Sequence, residues 1–151
     1  MFTPTHTWFW LAVGASVVWG LVYAVSEKIM KAGVSPTVYM LLISFLLTIF
    51  FAVLAYLQKD DVMGQINIIL NSKTVLLLFL LALFCYMAGD LLIYNSIKEK
   101  NATISSMIEI SYPLFTFLFC WLLFKEVQIN LGIAIGGLLV IAGVTFIFLK
   151  S

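Results

Sequence analysis

Asp90 and Glu109 stand inside long apolar runs of a 151-residue chain in which only 10% of residues are charged. Tyr86, Asp90 and Tyr94 follow at four-residue intervals, and on a helix that spacing sets two phenols beside a carboxylate. With Glu109, the residues Ala102, Ser105, Ser106, Tyr112, Pro113, Thr116 and Cys120 fall within an arc of roughly 150°, while Leu114, Leu118 and Leu122 take the opposite side. A third group is Trp19, Tyr23 and Glu27, on or beside a stripe of small residues (Ala12, Ser16, Gly20, Ala24) that recurs every four positions. The chemistry open to these groups is binding. Carboxyls that share a desolvated cavity repel each other, which poises the pair to take up a proton or a cationic substrate. Phenols and indoles beside them can stack on a solute or hydrogen-bond to it.

Covalent chemistry has no such footing. The chain holds no nucleophile elbow, phosphate loop, zinc-ligand cluster or dinucleotide fingerprint. It is therefore not expected to be an enzyme, to need a cofactor or to hold a metal. Cys85 and Cys120 lie inside apolar runs and suggest neither a disulfide nor a metal site. His6, in the polar leader MFTPTHTW, is expected to be solvated rather than catalytic. That leader has no Lys or Arg, and the apolar run behind it is too long for a signal-peptide core, so the amino terminus is expected to be retained. A formal net charge of +1 implies no nucleic-acid partner.

The elements that position these groups follow from hydropathy. Hydrophobic residues make up 64% of the chain and mean hydropathy is +1.15, which makes the lipid bilayer its solvent. Five apolar stretches are long enough to cross: Thr7 to Met30, Pro36 to Leu57, Thr74 to Ile97, Ala102 to Phe124 and Ile129 to Leu149. The expected fold is an all-α membrane protein of five transmembrane helices in one domain over residues 1–151. No room is left for a soluble domain. Barrel strands alternate over about ten residues, whereas LLISFLLTIFFAVLAYL is apolar throughout. The connectors KAGVS, KEKN and KEVQ are tight turns; only QKDDVMGQINIILNSK has room to lie along the interface. Lysines number five on the side of the first and third connectors and the carboxyl terminus, against three on the other. Read literally, this bias puts the carboxyl terminus in the cytoplasm; its weakness permits insertion both ways.

Counted from the KEKN turn, Asp90 and Glu109 each lie about eight residues, or roughly 12 Å, into a hydrocarbon core about 30 Å thick. A midplane acid costs about 2.5–3.5 kcal/mol on insertion scales, so both need a reason to be there. One reason is a proton or cation site; the other is a carboxyl hydrogen-bonded to Tyr86, Tyr94 or Tyr112 that ties helices together. Glu27, near a helix end, is either a pathway mouth or a side chain reaching the interface beside Lys28. Pro113 lacks a backbone donor and is expected to kink the fourth helix near Glu109. Gly132, Gly136 and Gly143, with Gly137 adjacent, mark the fifth helix for close packing inside the bundle or at a dimer interface.

Two stretches, VVWGLVYAVSEKIMKAGVSP and NATISSMIEISYPLFTFLFCWLLFKEVQINLGIAIGGLLVIAGVTFIFL, resemble the EamA-like family of the drug/metabolite transporter superfamily. The features that carry the resemblance are Trp19-Gly20 ahead of Lys28, Pro36 opening the second helix, Pro113, Glu126 closing the fourth helix and the glycine-rich fifth. Most members are similar to two such five-helix units inserted in opposite orientations around a central pathway. This chain has one unit, and Glu109 takes the position where single-domain members often carry an acid. Asp90 stands where the family is usually apolar or aromatic, and Lys125 replaces a small residue. The resemblance implies half of an inverted-repeat transporter that carries a small metabolite or drug-like solute. It implies a homodimer, antiparallel where insertion goes both ways, or pairing with a second half-transporter. A non-transporting scaffold or accessory subunit is the reading from another class. The expected location is a prokaryotic cytoplasmic (inner) membrane.

Overall fold

In a computed structural model of the chain, residues 7–127 and 130–150 are described; His6 and the expected helix start at Ile129 lie outside them. Among the described residues the fold is helical with no strand. The elements are α1 (Thr7–Lys31), α2 (Pro36–Gln58), α3 (Val62–Asn71), α4 (Lys73–Glu99), α5 (Ala102–Glu109), α6 (Tyr112–Phe119) and α7 (Leu131–Lys150), with one π-helical turn at Cys120–Phe124 after α6. Among the described residues, five spans are long and apolar enough to cross a membrane: α1, α2, α4, the composite Ala102–Phe124 and α7. α3 is a short apolar helix between the second and third spans.

Helix ends follow from a short polar vocabulary. A side-chain oxygen three residues upstream accepts a backbone N–H at five starts. Ser35 takes Val38 (3.3 Å), Asp61 takes Gly64 (2.9 Å), Ser72 takes Val75 (3.4 Å), Asn101 takes Ile104 (2.8 Å) and Asn130 takes Ile133 (3.0 Å). Each bond satisfies a donor that the helix leaves orphaned. Pro36 fits the first turn of α2 because the N–H it lacks would be unpaired there anyway. At Gly64 a Cβ would collide with the Asp61 carboxylate that caps α3. Both α2 and the fourth span end on a lysine in the left-handed conformation, Lys59 at φ 59° and Lys125 at φ 60°. Glycine is the usual occupant of such a position.

The chain divides into two compact units, one of residues 1–28 with 96–151 and one of residues 29–95. In the first, Ser26, Ile97, Ala102 and Ser105 are buried. In the second, Met30, Tyr39 and Tyr94 are buried, and the Tyr39 and Tyr94 rings meet edge to face at 5.1 Å. Every one of these residues lies within about two turns of the first or third connector. Along the rest of the spans, large apolar side chains such as Leu41, Phe45, Leu92 and Phe146 are exposed, the surface that lipid or a second chain would cover.

Candidate functional site

The fourth span is built in two pieces, and Glu109 is the last residue of the first. α5 is held firmly at its start. The Asn101 side chain caps it, and the Ala102 N–H donates to Glu27 Oε2 at 2.7 Å. A carboxylate on a helix N-terminus meets both an orphan donor and the positive end of the helix dipole. One turn on, Ser105, only 3% exposed, shares a hydrogen bond of 2.8 Å with Ser96 of α4. Small residues make this approach possible, since Ala102 and Ser105 put almost no bulk between the backbones.

Past Glu109 the helix is interrupted. Ile110 and Ser111 form a turn in which the Ser111 N–H reaches Ile108 O (3.2 Å), and the Leu114 N–H in turn reaches Ser111 O (3.0 Å), three residues back instead of four. Pro113 explains the place: it has no N–H, and the carbonyl it would have served is that of Glu109, four residues earlier. The sequence predicts one kinked helix from Ala102 to Phe124; the interruption lies at Ile110–Ser111, just before the proline, with Pro113 in the first turn of α6. α6 has no side-chain cap and no buried residue. Thr116 Oγ1 donates to Tyr112 O at 3.1 Å, a bond of the kind that bends helices. The span then widens into the π-turn at Cys120–Phe124 and ends with the Lys125 ammonium 5.6 Å above the Trp121 ring.

Glu109 is half-buried, and its carboxyl has no hydrogen-bond partner among the described residues. Tyr112, one turn on, is 62% exposed. In the same unit Trp19 is 47% exposed, with its ring 6.0 Å from that of Tyr23. Asp90, half-buried, belongs to the other unit with Tyr86, 65% exposed, and Tyr94, whose ring packs on Tyr39. The two phenols that flank Asp90 in sequence thus stand in different settings. On α7, a Cβ at Gly136 or Gly143 would meet open space, and one at Gly132 would lie 3.3 Å from the Asn130 side chain. Gly137 is the glycine that packs closely, opposite Leu114 of α6. An apolar cavity of about 450 Å³ lies between α6 and α7, lined by Ile110, Pro113, Phe117, Gly136 and Gly137 among others.

Sequence reasoning passes over the use of Glu27 as a cap, because it is 75 residues from Ala102 and no local pattern joins them. It also passes over the Asn101 cap, for which an Asn immediately ahead of an apolar run is the available signal.

The model of the EamA-like transporter family matches residues 6–149. The chain belongs to the EamA-like transporter family. It is a multi-pass integral membrane protein of a family of transporters, and the EamA-like match takes in every span, with Glu109 and the interruption beyond it. Neither a search of curated proteins nor one of solved structures returned a match.

Proposed function

We propose that this EamA-like chain is a secondary transporter of a small metabolite or drug-like solute in a prokaryotic cytoplasmic membrane. It alternates access as a homodimer and uses Glu109 as its proton or cation site, with Asp90 as a second acid. The observation that carries the reading is the position of Glu109: a half-buried acid at the last residue of α5, where the span is interrupted. Interrupted helices at membrane depth are where transporters place ion and substrate sites, because freed backbone groups and a side chain can act on one solute. In this reading Trp19, Tyr23, Tyr86 and Tyr112 offer rings and hydroxyls to the solute, Tyr94, expected from the sequence to do the same, is taken up by packing on Tyr39, and Glu27 stands at the pathway mouth. A single five-helix unit supports the need for a second copy, since inverted-repeat transporters form their pathway between two units. The open sides of Gly136 and Gly143 support a contact there.

A metabolite-library thermal-shift screen on purified protein finds the solute, because a ligand that binds the folded chain raises its apparent stability. Uptake of that solute into proteoliposomes then tests the site. Glu109→Gln is expected to abolish proton-driven uptake, and an unchanged pH dependence would overturn the coupling. Tags on both termini are expected on both membrane faces; one fixed topology would point to a different partner chain.

A further inference from the structure

We infer that α3 is a membrane-surface helix, lying in the boundary between headgroups and acyl chains with its apolar arc against lipid. At 100° per residue, Val62, Met63, Ile66, Ile69 and Leu70 fall within about 120°, while Gly64, Asn67 and Asn71 take the opposite side together with one apolar residue, Ile68. No residue of α3 is buried, and Val62, Met63, Ile66 and Leu70 are exposed. The unit it belongs to therefore leaves the apolar arc uncovered.

The chain itself says what covers it. Three residues lie between α2 and α3, and Ser72 is the single residue between α3 and α4. Two Cα–Cα steps reach at most about 7.6 Å, so the carboxyl end of α3 cannot leave the level at which α4 starts. Both neighbours are spans, and the surface continuous with them at that level is the bilayer. The chemistry of the helix specifies the kind of surface. Val62–Asn71 contains no Lys, Arg, Asp or Glu, and its polar side chains are the amides of Gln65, Asn67 and Asn71. The flanks carry Lys59, Asp60, Asp61 and Lys73, whose charges cancel. Insertion of apolar side chains, not attraction to anionic headgroups, holds such a helix, so a zwitterionic bilayer suffices.

The test uses the full chain in phosphatidylcholine proteoliposomes, with Cys85 and Cys120 replaced by Ser and one fluorescent label placed through Met63→Cys, Ile66→Cys, Leu70→Cys, Asn67→Cys or Asn71→Cys. Labels at 63, 66 and 70 are expected to be quenched several-fold more by a nitroxide near the top of the acyl chains than by aqueous iodide. Labels at 67 and 71 are expected to show the reverse, and added anionic lipid is expected to leave the pattern unchanged. Equal iodide quenching on both arcs would overturn the proposal by putting α3 in water. Shielding of the apolar arc from both quenchers would overturn it in favour of packing on protein. Should a substituted chain fail to fold, amide relaxation in the unsubstituted chain gives the same decision, with lipid-borne nitroxide set against aqueous gadolinium.

Discussion

α5 and α6 are two eight-residue pieces of one span, and they are held in opposite ways. α5, ATISSMIE, is the more polar, yet it has the buried residues, the side-chain cap and bonds to Glu27 and Ser96. α6, YPLFTFLF, is the more apolar, yet it has no cap bond and nothing buried. In water the ranking would be reversed. In a bilayer, Leu and Phe gain little by leaving lipid for another helix, so helices are fixed by close approach of small residues and by hydrogen bonds. The polar arc of the fourth span therefore divides. Ala102 and Ser105 hold the helix in place, and Glu109 and Tyr112 lie beyond the anchored part.

Removing Glu27 is expected to disturb this contrast most. Glu27→Ala leaves the Ala102 N–H without its carboxylate and is expected to cost about 1–3 kcal/mol, read as a lower unfolding midpoint in detergent. Glu27→Gln keeps an oxygen in place and is expected to lose about half as much. Equal stability of the Ala variant and the parent chain would mean that α5 is anchored without the bond from α1.

Pro113→Ala attacks the contrast from the other side. It restores an N–H four residues after Glu109, worth about 1 kcal/mol if the bond forms, and joins α5 to α6. Slower hydrogen exchange at residues 110–114 is the expected result, together with reduced uptake once a solute is known. Unchanged exchange would place the cause of the interruption outside the proline. Next in size is the Ser96–Ser105 pair. A double-mutant cycle with alanine at both positions is expected to give a coupling of about 0.6 kcal/mol, typical of hydrogen bonds between membrane helices. Thr116→Ala in α6, which loses only a bond within its own helix, is expected to change almost nothing.

How far the sequence shows this in advance depends on the range of the interaction. Five spans are legible because about 20 apolar residues are needed to cross a bilayer, whereas a single helical period through Ser105, Glu109 and Tyr112 is broken by the interruption at Ile110–Ser111. The hydropathy change starts the third span at Thr74, and α4 begins one residue earlier, at Lys73, where Ser72 takes the Val75 N–H. The exact place of the interruption needs one further step, because a proline removes the bond to a carbonyl four residues earlier and so acts upstream of itself. What sequence leaves invisible is tertiary. Glu27 on Ala102 and Tyr94 on Tyr39 join residues far apart in the chain, and neither carries a spacing that a local pattern could reveal.

Effects of the opposite sign are expected on α7, where neighbouring glycines do different work. Gly137 faces Leu114: a Cβ there would approach Leu114 Cδ2 within 2.7 Å, but that methyl is the far end of a side chain that can turn. Gly-to-Ala in a helix interior gains about 0.5–1 kcal/mol, so Gly137→Ala is expected to come out near zero as the displaced leucine offsets the gain. Gly136 has open space, and Gly136→Ala is expected to keep the full gain in an isolated chain. If the glycine face meets a second copy, the same change must also push the two chains apart. Unfolding of dilute protein in detergent should then show Gly136→Ala as the more stable variant, while energy transfer between labelled copies in liposomes should show it as the weaker dimer. Gly137→Ala should leave both readings near those of the parent. A Gly136→Ala chain that gains stability and dimerises as before would move the subunit contact away from α7.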